Sequence, residues 1–355
     1  MEKIHNFNAG PCLLPDEVYQ SSAQAILNFN NSGVSILSIS HRSEEFINIL
    51  EETRKMSLEL LGLQNKGYSA LFLQGGASME FLRVPFNLLT TKAGYINTGN
   101  WSLKAIEQAK IFGQAKILAS SEDKNFSYIP DNFEIPERLD YVHFTSNNTI
   151  HGTQFQKIPQ TDNVLVCDMS SDIYSRVFNC DKIDLIYAGV QKNIGAAGLS
   201  LVVLREEILG NTNRVIPAMM DYQEHLNKNS LYHTANVFGV YTCFLNLKWL
   251  KKQGGVEAIE KLNNKKAALL YETIDCLDFV HGTAEEKNRS KMNATFYFEK
   301  PEMNKIFDEL CLEANIVNIK GHRTVGGYRA SLYNALSLES VKVLADVLNQ
   351  MKLIV

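Results

Sequence analysis

The chain has 355 residues, 45% hydrophobic and 21% charged, an ordinary globular composition at a length that favours two domains over one compact core. Its formal net charge of −4 and lack of a long basic run argue against nucleic acid or an anionic membrane as the main partner. Six scattered cysteines with no C-x-x-C pair suggest neither a metal site nor a disulfide framework; with no signal pattern and no apolar membrane span, they point to a cytoplasmic protein.

Asn6-Phe-Asn-Ala-Gly-Pro11 reads as a turn, and Pro15-Asp16 opens a helix with Val18, Ala25, Ile26 and Phe29 near one face. Residues 34–39 mix apolar residues with serines, an extended pattern. His41 and Arg42 then stand just ahead of Ser43, a helix N-cap, where an anion is favoured; a solvated loop pair is the competing reading. The helix that follows carries Phe46, Ile49, Leu50, Thr53, Met56 and Leu60 at helical spacing and ends at Gly62.

Leu71-Phe-Leu-Gln-Gly-Gly-Ala-Ser-Met-Glu-Phe81 reads as a short buried strand that breaks at Gly75-Gly76 and enters a helix at Ala77 or Ser78. Small residues there let a phosphate approach the free amides of the first turn, where the helix dipole favours its charge. Such turns are common, and this one carries neither a dinucleotide fingerprint nor a P-loop.

Strands and helices then alternate. A strand at Tyr95 and Ile96 precedes a helix over 101–112 and a strand over 115–118, and a polar loop over 123–137 leads to a strand over 141–145. This alternation indicates an α/β fold with a mostly parallel sheet flanked by helices, whose ligands lie at the carboxyl ends of the strands. Gly76, Trp101, Thr149, Asp168 and Lys192 all fall just after expected strands. Asp168 ends the apolar run Val164-Leu-Val-Cys, and Lys192 lies in the turn between two apolar strands, Leu185-Ile-Tyr187 and the run over 199–204. A buried lysine has its pKa depressed toward neutrality, the condition for condensing with a carbonyl. A lysine and a carboxylate at the ends of strands of one sheet match the needs of pyridoxal phosphate: one amine to hold the aldehyde carbon, one carboxylate to keep the ring nitrogen protonated. A surface lysine and a helix-capping aspartate are the competing reading.

A long apolar helix over 238–250 ends at Lys251-Lys-Gln-Gly-Gly255, a domain boundary, and a helix over 256–277 bridges to the remainder. The expected domains are therefore 16–255 and 256–355, the second a smaller α+β unit with strands over 293–298, 316–319 and 328–332 and helices over 302–314 and from Ser337. Between its strands, Lys320-Gly-His-Arg-Thr-Val-Gly-Gly-Tyr-Arg-Ala-Ser331 places His322, Arg323 and Arg329 in or beside glycine-flanked turns. Together with His41 and Arg42 they suggest a site for more than one anionic group, because arginine offers a carboxylate or phosphate a two-pronged donor.

These segments, with Ser40-His-Arg42, Gln74-Gly-Gly-Ala-Ser78 and Tyr187-Ala-Gly-Val-Gln-Lys-Asn-Ile-Gly195, resemble the phosphoserine aminotransferase family of class V, fold-type-I pyridoxal-phosphate transaminases over essentially the whole chain. The resemblance implies a seven-stranded large domain, with residues 1–15 packing near the active site. It also implies a homodimer with active sites at the subunit interface, using pyridoxal 5'-phosphate to move an amino group from L-glutamate to 3-phosphohydroxypyruvate. In many bacteria such enzymes also serve the phosphohydroxythreonine step of pyridoxine formation.

Carried across, Lys192 is the Schiff-base lysine and proton shuttle, Asp168 the partner of the pyridinium nitrogen, Trp101 the stacking ring and Thr149 a donor to the ring hydroxyl. Ala77, Ser78 and Gln191 hold the phosphate, Arg329 the substrate α-carboxylate, and His41, Arg42, His322 and Arg323 the distal anion, some from the partner subunit. Where the family has Asn-Thr reaching the cofactor phosphate across the interface, this chain has His233-Thr234; a titratable residue there implies a small loss of cofactor affinity as pH rises above the histidine pKa.

The competing activities are a serine- or alanine-glyoxylate type of class V transaminase, which needs fewer cations, and a desulfurase, whose mobile cysteine is missing because Cys311 reads as core. A phosphate-sensing scaffold with a decayed site would lack the intact set of cofactor residues.

Overall fold

Alternating burial along the strands builds the larger part of the protein, a computed structural model that describes residues 3–354. Strand β1 (His5–Asn6), helix α1 (Asp16–Leu27) and helix α2 (Glu44–Leu60) come first. The alternating segment follows: β2 (Tyr68–Gln74), α3 (Ala77–Leu88), β3 (Lys92–Asn97), α4 (Asn100–Ala109), β4 (Gln114–Ser120) and β5 (Val142–Thr145). A ribbon of β6 (Asn147–Asn148) and β7 (Thr153–Gln154) leads to β8 (Leu165–Asp168), β9 (Leu185–Gly189) and β10 (Leu199–Arg205). After α5 (Tyr222–Asn227), α6 (Val237–Lys252) and α7 (Gly255–Asp275) come β11 (Val280–Gly282), β12 (Asn293–Phe298), α8 (Glu302–Glu313), β13 (Ile316–Val317), β14 (Tyr328–Ser331) and α9 (Leu338–Met351).

Seven strands form one sheet in the order β2-β10-β9-β8-β5-β3-β4, parallel except for β10, which runs antiparallel to both neighbours. Its direction follows from connectivity, because β9 turns back through a short segment and no crossover helix intervenes. Period-two alternation splits each strand between two apolar layers. Phe72, Leu201 and Val203 face the layer holding Phe46 and Leu50 of α2 and Leu247 of α6. Leu71, Leu73, Val202 and Leu204 face the layer holding Phe81 and Val84 of α3 and Ile106 of α4. Both faces are covered, which is why the central strands are apolar throughout.

A separate core gathers Phe296, Phe307, Tyr328, Leu344 and Leu348 around the three-stranded sheet β11-β12-β14. Helix α7 touches both cores, with Ile259 in the first and Leu270 and Ile274 in the second. Lys266, midway along it and fully buried, donates to the carbonyls of Leu332, Tyr333 and Leu336, three acceptors for one ammonium.

Two local expectations differ from what forms, and one strand was not expected. Residues 34–39 are not extended but hold a 3₁₀ turn, Ile36–Ser38, capped by the Ser35 hydroxyl accepting from the Leu37 amide. The run over 316–319 contributes only Ile316–Val317, and these pair with His5–Asn6 rather than with the three-stranded sheet. Val280–Gly282, too short to carry a pattern, supplies that sheet's edge. Among the described residues, no helix is long and apolar enough to cross a membrane.

Candidate active site

Register brings the chemistry together. Asp168, the last residue of β8, stands opposite Thr145 of β5 on one side and Tyr187 of β9 on the other. Lys192 lies in the turn after β9, and Thr149 just after β6, so neighbouring strand ends deliver all of them to one cavity of about 540 Å³. Its walls include Gly75, Gly76, Ala77, Ser78, Trp101, Thr149, Asp168, Gln191, Lys192, His322 and Arg329.

The Lys192 side chain is buried, and its Nζ donates to Thr149 Oγ1 at 3.1 Å. Burial lowers its pKa from 10.5 to about 8, against the opposing carboxylate of Asp168 and with the help of Arg329. The turn is clamped from the amino end of the chain, where the Cys12 thiol donates to the Lys192 carbonyl and the Cys12 amide to the Gln191 carbonyl. Asp168 Oδ1 accepts from the Ser170 amide at 2.9 Å and the Ser170 hydroxyl at 2.6 Å. Among the described residues none bonds Oδ2 of Asp168. Burial raises the Asp168 pKa, and the Ser170 bonds and Lys192 oppose the rise.

The turn from β2 into α3 has the geometry expected of an anion cradle. Gly75 and Gly76 have φ of 114° and 65°, and a Cβ on Gly75 would lie 2.7 Å from that of Met79. Helix α3 has no side-chain cap, and Gly76, Ala77 and Ser78 at its start line the cavity, while the Met79 amide bonds back to the Gly76 carbonyl. The Trp101 indole Nε1 is buried with no described partner, an unmet donor in the wall. Arg329, on β14, donates from Nη1 to the Thr149 carbonyl at 3.3 Å, which ties the smaller sheet to the cavity.

Not every expected residue arrives. His41 and Thr234 line a separate pocket of about 360 Å³, and neither they nor Arg42, His233 or Arg323 line the main cavity. Both ring nitrogens of His233 are buried without a described partner. Burial, then Arg83 and His41, hold its pKa below the ordinary 6.5, so a charge-dependent contact made by this ring is confined to acid pH. Sequence reading missed Ser170, Ser171 and Asn147 in the wall. The serine pair two residues beyond a strand-ending aspartate was the available signal.

The class-V aminotransferase family profile matches residues 4–344. The chain belongs to the class-V aminotransferases. It is 54% identical over 352 residues to a phosphoserine aminotransferase of Flavobacterium psychrophilum, covering 99% of each. It superposes on the phosphoserine aminotransferase of Bacillus circulans subsp. alkalophilus with a TM-score of 0.96 at 38% identity, covering 99% of each chain. A pyridoxal-phosphate-bound phosphoserine aminotransferase of Trichomonas vaginalis gives a TM-score of 0.92 at 31% identity, with 98% of this chain and 100% of that one covered.

As a class-V aminotransferase of fold type I, the protein is a transaminase whose cofactor is pyridoxal 5'-phosphate. The cavity fits that group in charge and in shape: an uncapped helix start for a phosphate, an amine of lowered pKa, a carboxylate with a free oxygen, and an unmet indole donor. The lowered lysine pKa has a measurable consequence. Capture of the cofactor by the apo-protein, followed by stopped-flow absorbance, should speed up about tenfold between pH 7 and pH 9, because the neutral fraction of an amine of pKa about 8 rises by that factor.

Proposed function

We propose that this class-V aminotransferase transfers the amino group of L-glutamate to 3-phosphohydroxypyruvate, forming O-phospho-L-serine and 2-oxoglutarate in serine biosynthesis, and that it also acts on the phosphorylated keto acid of the phosphohydroxythreonine step in pyridoxine formation. The observation that carries the reading is one cavity in which Lys192, Asp168 and the α3 start meet Arg329 and His322, in a chain 54% identical to a phosphoserine aminotransferase. In this reading residues 16–255 form the cofactor domain, residues 256–355 carry the substrate arginine, and the enzyme works in the cytoplasm.

When bound, the cofactor supplies an electron-withdrawing ring that makes the substrate Cα proton removable. The residues do the rest. Lys192 would hold the cofactor and would carry the proton to and from the substrate Cα. Asp168, oriented by the Ser170 amide and hydroxyl, would keep a proton on the ring nitrogen. The first-turn amides of Ala77 and Ser78, with Gln191, hold the phosphate, Trp101 covers the ring, and Thr149 anchors the hydroxyl edge. Arg329 takes the α-carboxylate in a two-pronged grip, and His322 meets the distal anion, with Arg323 next to it in the chain but outside the cavity lining.

His41, Arg42, His233 and Thr234 lie outside this chain's cavity, and in the proposed homodimer they complete the partner's site. A mixing experiment addresses this directly. Lys192→Ala and Arg42→Ala proteins, each nearly inactive alone, should recover about a quarter of wild-type activity when unfolded and refolded together, since half the dimers are then hybrids with one intact site. No recovery would place Arg42 in the same site as its own Lys192.

The substrate assignment is tested by comparing kcat/KM for 3-phosphohydroxypyruvate, the phosphorylated threonine-series keto acid and glyoxylate, with L-glutamate as donor. A preference for glyoxylate would replace this reading with a serine- or alanine-glyoxylate activity.

A further inference from the structure

Beneath the phosphate cradle lies a charged pair that the reaction does not use. Glu80 and Arg83, on successive turns of α3, are 0% and 2% exposed, and Arg83 Nη1 meets Glu80 Oε1 at 2.6 Å. The carboxylate is fully engaged: the Ser200 hydroxyl donates to the same oxygen and the Tyr222 hydroxyl to Oε2, each at 2.6 Å. The second prong of the arginine, Nη2, donates to the carbonyl of Gln74 at 2.9 Å. Gln74 is the last residue of β2 and immediately precedes the Gly75-Gly76 turn. The turn is held on its other side by the Gly75 amide donating to the Gly198 carbonyl.

Buried charge on a helix face that could be apolar is costly, so its position matters. Glu80 follows Ala77 by three residues, which puts its Cα about 4.5 Å below the start of the helix. A lone carboxylate there would oppose a phosphate at the helix start, at short range and away from water. Arg83 cancels that charge from one turn further down and fixes the backbone that shapes the cradle.

We propose that Arg83 and Glu80 are positioning residues for the cofactor phosphate, the arginine acting chiefly by neutralising a carboxylate that otherwise repels the phosphate from beneath, while its bond to the Gln74 carbonyl is the smaller contribution because the Gly75 amide to Gly198 carbonyl bond still holds the turn without it. The proposal rests on the placement of that phosphate at the α3 start given above. It makes a pattern of signs that packing alone does not. Removing the cation is harmful, removing the carboxylate is mild, and removing both restores binding.

The test is titration of the apo-protein with pyridoxal phosphate and with unphosphorylated pyridoxal, read by protein fluorescence, for wild type and for Arg83→Met, Glu80→Gln and the double variant. Arg83→Met should weaken pyridoxal phosphate by about tenfold or more while leaving pyridoxal within about threefold. Glu80→Gln, whose amide oxygen still accepts from Arg83, and the double variant should both bind pyridoxal phosphate less than about tenfold more weakly than wild type.

Equal weakening of both ligands by Arg83→Met, or a double variant tenfold or more weaker than wild type for pyridoxal phosphate, overturns the proposal. If Arg83→Met does not fold by circular dichroism, the double variant decides by that same tenfold limit. Ser78→Asp separates the underlying placement: it puts a carboxylate in the cradle itself and should abolish the preference for pyridoxal phosphate over pyridoxal. A preference left intact in that variant removes the phosphate from the α3 start, whatever the Arg83 variants do.

Discussion

Lys192→Ala should reduce transamination by about 10⁴-fold or more and remove the absorption band of the lysine-linked cofactor. Two functions are lost with one side chain. The Nζ proposed to attach the cofactor is buried beside Thr149 with its pKa lowered to about 8, and among the described residues no other lysine lines the cavity to replace it. The proton that moves to and from Cα also loses its carrier. Packing should survive, because the surrounding turn is held through its own carbonyls by the Cys12 thiol and amide rather than by the lysine side chain. The checks are a single-turnover assay with L-glutamate and a visible spectrum of the reconstituted variant. Normal turnover in that variant would remove Lys192 from the chemistry.

Asp168→Asn should keep the cofactor bound but lower kcat by about 10²- to 10⁴-fold. An amide is close in shape to the carboxylate and can still accept from Ser170, so the loss isolates charge. Among the described residues lining the cavity Asp168 is the only carboxylate, so without it no other acidic group of the wall favours a proton on the ring nitrogen. The measurement is kcat under saturating cofactor and donor, with the absorbance of bound cofactor confirming occupancy. The variant should also lose part of what opposes the lowering of the Lys192 pKa, so its cofactor capture should reach a plateau at a lower pH than wild type.

Legibility in the sequence depended on how local the cause was. Helix limits set by a side chain on the adjacent backbone were readable: Ser43 caps α2 through the Phe46 amide and Ser337 caps α9 through the Ser340 amide. So was the glycine turn into α3, because positive φ is a demand the chain meets with glycine. The 3₁₀ turn over Ile36–Ser38 was not, since a serine hydroxyl outcompeted an alternating pattern that suggested a strand. Glu80 and Arg83 look in sequence like any exposed i, i+3 pair; only the packing of β10 and Tyr222 over that face of α3 buries them.

By itself the sequence determined most of the alternation of strands and helices, the amine and carboxylate at the ends of their strands, and the glycine turn into α3, because each is written in residues adjacent along the chain. The tertiary structure decided the rest. It set Asp168 beside Tyr187 and Thr145 through sheet register, and covered Lys192 with the Cys12 segment. It paired His5–Asn6 with Ile316–Val317, and placed His322 and Arg329 in the main cavity, His41 in a second pocket, and Arg42 and Arg323 in the lining of neither. Those outcomes depend on contacts between residues far apart in the chain, whose energies come from burial and strand pairing and leave no periodicity in the sequence.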